Sequence, residues 1–479
     1  KEIPGVIAVI PLEDQVIVVA DSTWKAMRGA EKLKIDTTGG DNSLNDKNIF
    51  KQFKTDSAKE GVLVAQRGDS ISPMSKAEKK VEMEYLSPMQ AHAAMEPLCA
   101  TASVTPEGCE IWAPTQSSDF ATMMAMGVTK LPPEKIKIQT TYLGGGFGRK
   151  VEYDFLLAPL VASKALGKPV KITWTREEDT RNDFFRPPFM INMQFGLDAS
   201  GLPDGLKVKL VGPAVSRRWQ MPPPWLEENG YDWVVTIGMF DGYNLPNQKP
   251  DLSKSYSIPN LKVEFVPSDI KVPTGAWRSI GTSHNIFALE SGLDEVAVTG
   301  GNDPFELRGK LLSHNSRAIE VLDRAAELSG WGNPSEGRFL GMAYTDYLET
   351  YQVQVAEISV SQRGTVTVHK VTCVADCGQV FNPHIARQQL EGGIIFGLTA
   401  ALKGEINVQN GQIVQSNYDD YPMLKLKDTP EINVHLIDNH ESPGGLGEAG
   451  TPLIGPAVAN AVFAATGKRV RRLPIRRKD

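Results

Sequence analysis

The chain has 479 residues, with 51 Lys and Arg against 57 Asp and Glu, a formal net charge of -6 and 41% hydrophobic residues. That length exceeds one ordinary core and implies two or three domains of a globular protein. The acidic balance argues against a nucleic-acid surface, no apolar run approaches the roughly 18 residues of a membrane helix, and the opening residues do not read as a signal peptide.

In chain order, "GVIAVIPLEDQVIVVADSTWKAMRGAEKLKID" predicts two strands, a helix around Ser22–Ala30 and a further short strand. Residues 1–45 therefore read as the C-terminal part of a small α/β domain, with an upstream portion expected elsewhere. Residues 46–80 belong to a polar stretch of little periodicity and are expected as a linker. Residues 81–330 and 331–479 are expected as two mixed subdomains. Strands such as "KIKIQTTYL" and "MINMQFGLD" alternate with helical stretches at Phe155–Leu166 and Asn285–Val298, and "TYQVQVAEISV" opens the second block. The fold class is α+β. Trp219–Pro250, rich in proline, glycine and aromatics, is expected as a long loop lining a cleft. The basic run Arg469–Lys478 reads as a solvated tail. Cys99, Cys109, Cys373 and Cys377 give no metal-ligand spacing and read as small buried residues, with one disulfide left open.

Two segments are alike. "GGFGRKVEYDFLLAPLVASKALGKPVKI" and "GGLGEAGTPLIGPAVANAVFAATGKRV" each run from a glycine loop into an Ala-rich helix and on to Gly-Lys, which suggests a duplicated half-domain with two glycine loops facing one cleft. Loops that open helices suit an anion. Glu448, in the second loop, is then either a helix-dipole residue or a general base. Gln90, His92 and Glu96 fall on alternate positions, with Gln90 free to point an amide at a cleft and the other two sharing its face. Arg278 precedes a helix as a candidate anion ligand, and Gln388, Gln389 and Glu391 precede Gly392-Gly393.

Together "MQAHAAMEP", "LGGGFGRK", "TGAWRSIGTSHNIFALESGLDEVA", "DCGQVFNPHIARQQLEGGIIFGL" and "GGLGEAGTPLIGPAVANAVFAATGKRVRRLPI" resemble, in order and over nearly the whole chain, the molybdenum-binding large subunit of the xanthine oxidase and aldehyde oxidase family. The branch is that of the isoquinoline 1-oxidoreductase beta subunit and the large subunit of membrane-associated bacterial aldehyde dehydrogenases. The resemblance implies a molybdenum-binding domain of two related mixed α/β subdomains, preceded by the end of a hammerhead-like domain. It implies Glu448 as general base, Gln90 as hydrogen-bond partner of an oxo ligand, and Gly145, Gly146, Phe147 and Gly148 as a loop at the metal's oxo face. Arg278, Gln389 and Gly447 are implied at the pterin. The metal is implied to be held by molybdopterin, as such or as the cytosine dinucleotide, and not by protein ligands. The implied reaction oxidises an aldehyde or an N-heteroaromatic, with water as oxygen source.

No iron–sulfur cysteine pattern is present; the resemblance implies a small [2Fe–2S] partner subunit, with a cytochrome c or a quinone beyond it. The family's Met-Gly-Gln-type loop is absent, and an N-terminal companion chain or cleaved fragment is expected to carry it. No arginine stands before "YSIPN" where purine-oxidising members have one. The expected compartment is the periplasm. The rival readings are a cofactor-free scaffold of the same family and a phosphate- or nucleotide-binding enzyme.

Overall fold

Cys99–Val104 alternates half-buried and buried positions, the pattern of a strand with one face on a core. It is central in a four-stranded sheet ordered Ile136–Thr140, Cys109–Ala113, Cys99–Val104, Val170–Thr173. The first pair is parallel and the others antiparallel. The Ser118–Thr129 helix, capped by the Ser117 side chain, and the Leu157–Leu166 helix, ended by left-handed Gly167, supply apolar faces to this sheet. The computed structural model describes residues 3–36, 38–69, 72–216, 232–240 and 255–476. By contact they form two units. The first contains the described residues of 1–45, 91–185 and 408–417, and the second those of 46–90, 186–407 and 418–479.

In the first unit the N-terminal hairpin, Val6–Pro11 with Val16–Ala20, buries Ile17 and Val19 against Ala158, Ala162 and Val170. The expected helix is present at Thr23–Ala30, with Ser22 as its N-cap. The further short strand is not: residues 33–36 have no regular structure.

The second unit holds a five-stranded sheet ordered Val62–Arg67, Asn260–Pro267, Pro203–Gly212, Phe189–Leu197, Lys79–Ser87, and a four-stranded sheet ordered Phe339–Thr345, Tyr351–Val360, Val366–Asp376, Glu431–Ile437. The Thr282–Gly300 helix, buried from Thr282 to Ala297, shares one apolar core with both. The Ile454–Thr466 helix crosses the Phe339–Thr345 strand at Gly341, where a Cβ would stand 2.2 Å from the Ala461 nitrogen. Buried Glu290 accepts from Arg308 Nε at 2.9 Å, Tyr256 Oη at 2.7 Å and the Tyr344 amide at 2.9 Å, so its burial is matched by donors on three segments.

Two expectations change. Residues 46–80 are no linker: they form the Asp46–Asp56 helix and the Val62–Arg67 strand at the sheet edge, and Phe53 of that polar helix is fully buried. The basic C-terminal run is no free tail through Arg476. Leu473 and Ile475 are buried and their amides donate to the Leu86 and Ala401 carbonyls, while Arg469 and Arg471 pair with Asp294 and Glu295. The four cysteines are free thiols. Of the Trp219–Pro250 stretch, residues 219–231 and 241–250 lie outside the described residues; within 232–240 a short helix, Trp233–Thr236, is capped by Asp232. Among the described residues no helix is long and apolar enough to cross a membrane.

Candidate functional site

The glycine loops are not helix N-termini in the simple sense. The first passes through two short 3-10 turns, Arg149–Val151 and Asp154–Leu156, before its α-helix begins at Leu157. The second passes through a turn before the Ile454–Thr466 helix. Their glycines answer to close packing. A Cβ on Gly444 would stand 2.6 Å from the Glu349 carbonyl oxygen, and one on Gly450 2.6 Å from that of Leu390.

Glu448 is half-buried, and each carboxylate oxygen has its own donor. The Ser279 amide donates to Oε1 at 2.9 Å and the Tyr347 hydroxyl to Oε2 at 2.7 Å. The Ser279 hydroxyl also donates to the Glu448 carbonyl at 2.7 Å. Arg278, one residue earlier, donates from Nε and Nη2 to the Gly447 carbonyl at 3.0 and 2.7 Å, and from Nη2 to Gln389 Oε1 at 3.1 Å. Burial pulls its guanidinium below the ordinary range while the Glu448 carboxylate opposes that. Gln389 lies on the exposed side of the Pro383–Leu402 helix, capped by Asn382. Arg278, Gln389, Gly447 and Glu448 are thus brought together within one unit, by residues far apart in the chain.

Gln90 is in that unit but is otherwise occupied. Its side chain is fully buried and donates to the Ala400 carbonyl at 3.2 Å, and its backbone pairs with Arg186. Its Oε1 has no hydrogen-bond partner among the described residues. Arg186 is buried over the Trp277 ring, 5.4 Å from its centroid, and burial lowers its pKa to about 10. His284 stacks on Phe189 with ring centroids 4.1 Å apart. Burial, reinforced by the Arg186 charge, lowers its pKa to about 3, so the ring is neutral at ordinary pH.

In the other unit, Gly145, Gly146, Phe147 and Gly148 form a strained turn, with φ of 99° at Gly145, 56° at Phe147 and 109° at Gly148. A phenylalanine in that region is unfavourable by itself, and the surrounding network over-determines it. Gln116 Oε1 accepts from the Gly148 amide at 3.2 Å, and the Gly144 amide donates to Glu96 Oε2 at 3.0 Å. Lys150, fully buried, pairs with the same carboxylate. Arg149 forks onto Asp154 with two bonds of 2.8 Å and lies 3.1 Å from Asp183. Burial works to lower its pKa, and Asp154 and Asp183 outweigh it and raise it. Asp183 also accepts from the His92 amide at 2.7 Å and lies 2.8 Å from His92 Nδ1.

His92, through Asp183, and Glu96 thus brace the loop. The glutamine amide at the Gly145–Gly148 loop is that of Gln116, which sequence reasoning passed over. Its only signal was a polar "TQSS" step between a strand and a helix capped by Ser117. Tyr347 was also missed, because "TDYLET" carries no motif.

Two family models, each described as a molybdopterin cofactor-binding domain, match residues 53–214 and 330–430. The chain is 28% identical to the beta subunit of isoquinoline 1-oxidoreductase from Brevundimonas diminuta over 99% of its own length and 61% of that protein. It is also 28% identical to the membrane-bound aldehyde dehydrogenase [pyrroloquinoline-quinone] of Gluconacetobacter polyoxogenes, over 100% of its length and 65% of that protein. The chain thus spans about three fifths of the length of these relatives. The aldehyde oxidoreductase of Desulfovibrio desulfuricans has a similar fold, with a TM-score of 0.78 at 17% identity, covering 100% of this chain and 74% of that one.

Proposed function

Because the chain belongs to the molybdopterin-binding proteins of the xanthine oxidase family, we propose that it is the larger piece of the catalytic molybdenum subunit of a hydroxylase acting on an aldehyde or an N-heteroaromatic ring. The observation that carries this reading is Glu448, a carboxylate with one donor on each oxygen, next to a Gly447 carbonyl held by Arg278. Two glycines beside these residues face open space. At Gly447 and at Gly392, one turn along the helix from Gln389, no atom from elsewhere in the described chain lies within 4 Å of the place where a Cβ would stand.

The molybdenum cofactor would supply two-electron oxidation, with water as the source of the inserted oxygen. Arg278, Gln389 and Gly447 would hold the pterin side of it. The role assigned to Gly145, Gly146, Phe147 and Gly148 rests on the family resemblance and on the braced turn they form. At that turn Gln116 presents an exposed side chain that accepts from the Gly148 amide, and the oxo-partner role of Gln90 rests on the family resemblance alone. Glu448 keeps a lone pair on each oxygen beyond those used by Ser279 and Tyr347, and can therefore take a proton from the reacting group without breaking its clamp.

Electrons would leave to a small [2Fe–2S] subunit and on to a cytochrome c or a quinone, and a companion polypeptide would complete the cofactor site with the Met-Gly-Gln-type loop. Two of the relatives, the isoquinoline 1-oxidoreductase chain and a nicotinate dehydrogenase chain of Pseudomonas putida, are each named as one subunit of their enzyme, which supports a complex. The periplasm is the proposed compartment on family grounds alone, tested by cell fractionation.

The test is to purify the native complex, measure molybdenum per copy of this chain, identify co-migrating polypeptides, and compare turnover of the wild type with Glu448→Gln. About one molybdenum per chain and a loss of turnover of at least a hundredfold in the variant are expected. A fully assembled complex without molybdenum would favour the cofactor-free scaffold.

A further inference from the structure

Among the described residues nine non-glycine positions have positive φ. Lys130 and Asn410 sit in ordinary places, a helix C-cap and a two-residue turn between paired strands. Four of the others form two consecutive pairs: Ser279 and Ile280 at 73° and 39°, and Leu348 and Glu349 at 56° and 60°. Side chains disfavour this region, and two in succession disfavour it twice. Both pairs adjoin the donors to one carboxylate. The Ser279 amide serves Glu448 Oε1, and Tyr347, the residue before Leu348, serves Oε2. The Leu348–Thr350 turn also grips the loop itself: the Gly445 amide donates to the Leu348 carbonyl at 2.8 Å, and Thr350 Oγ1 donates to the Gly445 carbonyl at 2.9 Å. Strain that converges on one side chain from two directions marks that side chain as the one whose position matters.

The two donors differ in kind. An amide N–H only donates, whereas a phenol hydroxyl both donates and accepts. We propose that Tyr347 is a positioning residue for Glu448, holding the carboxylate by donating to Oε2 and reversing to accept when Oε2 takes a proton. The proposal rests on the reading of Glu448 as the base. In that step the O–H bond of the reacting group breaks, an O–H bond forms at Oε2, and the Tyr347 hydroxyl keeps its own proton while turning from donor to acceptor.

The test uses the purified native complex bearing Tyr347→Phe, which keeps the ring and removes only the hydroxyl. With an aldehyde and an N-heteroaromatic substrate, kcat is expected to fall about ten- to a hundredfold, with KM changed less than about twofold and molybdenum content and melting temperature unchanged. Infrared spectra of 13C-glutamate-labelled protein supply a readout apart from turnover. The carboxylate band lost in Glu448→Gln is expected to shift in Tyr347→Phe. If Tyr347→Phe loses its cofactor, the same comparison is made between cofactor-free complexes. An unmoved band overturns the proposal whatever happens to kcat, and so does a shifted band with wild-type kcat. Full activity in Glu448→Gln would instead overturn the reading of Glu448 as base, a different failure.

Discussion

Arg278 grips the carbonyl of Gly447 with two nitrogens, Nε at 3.0 Å and Nη2 at 2.7 Å, and its Nη2 also reaches Gln389 Oε1 at 3.1 Å. One planar fork thereby ties the residue before the glutamate to the Pro383–Leu402 helix. A lysine is a point donor that cannot span both acceptors. Arg278→Lys is expected to lower molybdenum content several-fold and stability by about 1–2 kcal/mol, read by elemental analysis and by denaturant unfolding.

Alanine at two glycines should separate the two loops. At Gly146 an added Cβ would meet Gln116 Oε1 at 2.4 Å, the end of a side chain that can move. At Gly444 it would meet the Glu349 carbonyl oxygen and carbon at 2.6 and 2.7 Å, which are backbone and cannot. Gly146→Ala is therefore expected to fold with a stability change under about 1 kcal/mol and to lose turnover through displacement of Gln116. Gly444→Ala is expected to lose about 2–3 kcal/mol. Equal melting temperatures for the two would contradict this.

Asp183 is buried and faces His92 and Arg149. Burial pushes its carboxyl upward, but these partners hold it below its ordinary value. Such a group stabilises the fold fully above the unfolded carboxyl pKa near 4, and that stability is lost as the pH falls through the lower folded value. Asp183→Asn leaves Arg149 short of a buried counter-charge and is expected to cost about 3–5 kcal/mol at pH 7. The difference from wild type should narrow below about pH 4 in a pH series of unfolding curves.

His284 and Asp179 pull in opposite directions with pH. His284 has a folded pKa of about 3 against roughly 6.5 unfolded. The unfolded chain binds more protons between those values, and stability falls as the pH drops from about 6.5 toward 3. His284→Gln should flatten that limb. Asp179, raised to about 6 by burial and by the Asp183 charge, is more protonated folded than unfolded, so its ionisation costs stability at neutral pH. Asp179→Asn is expected to gain about 1–2 kcal/mol at pH 7–8, with the gain gone below about pH 4. Unfolding midpoints from pH 4 to 8 check both signs.

Much of this was legible along the chain. Alternating apolar residues placed Phe189–Leu197 and Tyr351–Val360 within a residue or so of where they lie. The Gly-rich motifs marked the two loops, because close approach of one backbone to another calls for glycine at particular positions, as at Gly444 and Gly450. The mixed helix and sheet class followed from the same alternation. Residue type and spacing also picked out Arg278 and Gln389, which do meet.

What pattern could not decide was partnership. Glu448 meets Ser279 and Tyr347 from 169 and 101 residues away, and neither carries a signal of its own: Ser279 contributes a backbone amide, which every residue but proline has. Gln90 and Gln116 look alike in the sequence. Only the packed sheets direct one amide to the Ala400 carbonyl and the other to the glycine loop. The contiguous blocks read from the sequence likewise give way to units that the chain leaves after Gln90 and re-enters at Arg186. Propensity, periodicity and glycine chemistry act over a few residues, so the elements, the class and the loops followed from the order of amino acids. Which side chains touch was fixed by packing, since burial and hydrogen bonding are satisfied in space and are indifferent to distance along the chain.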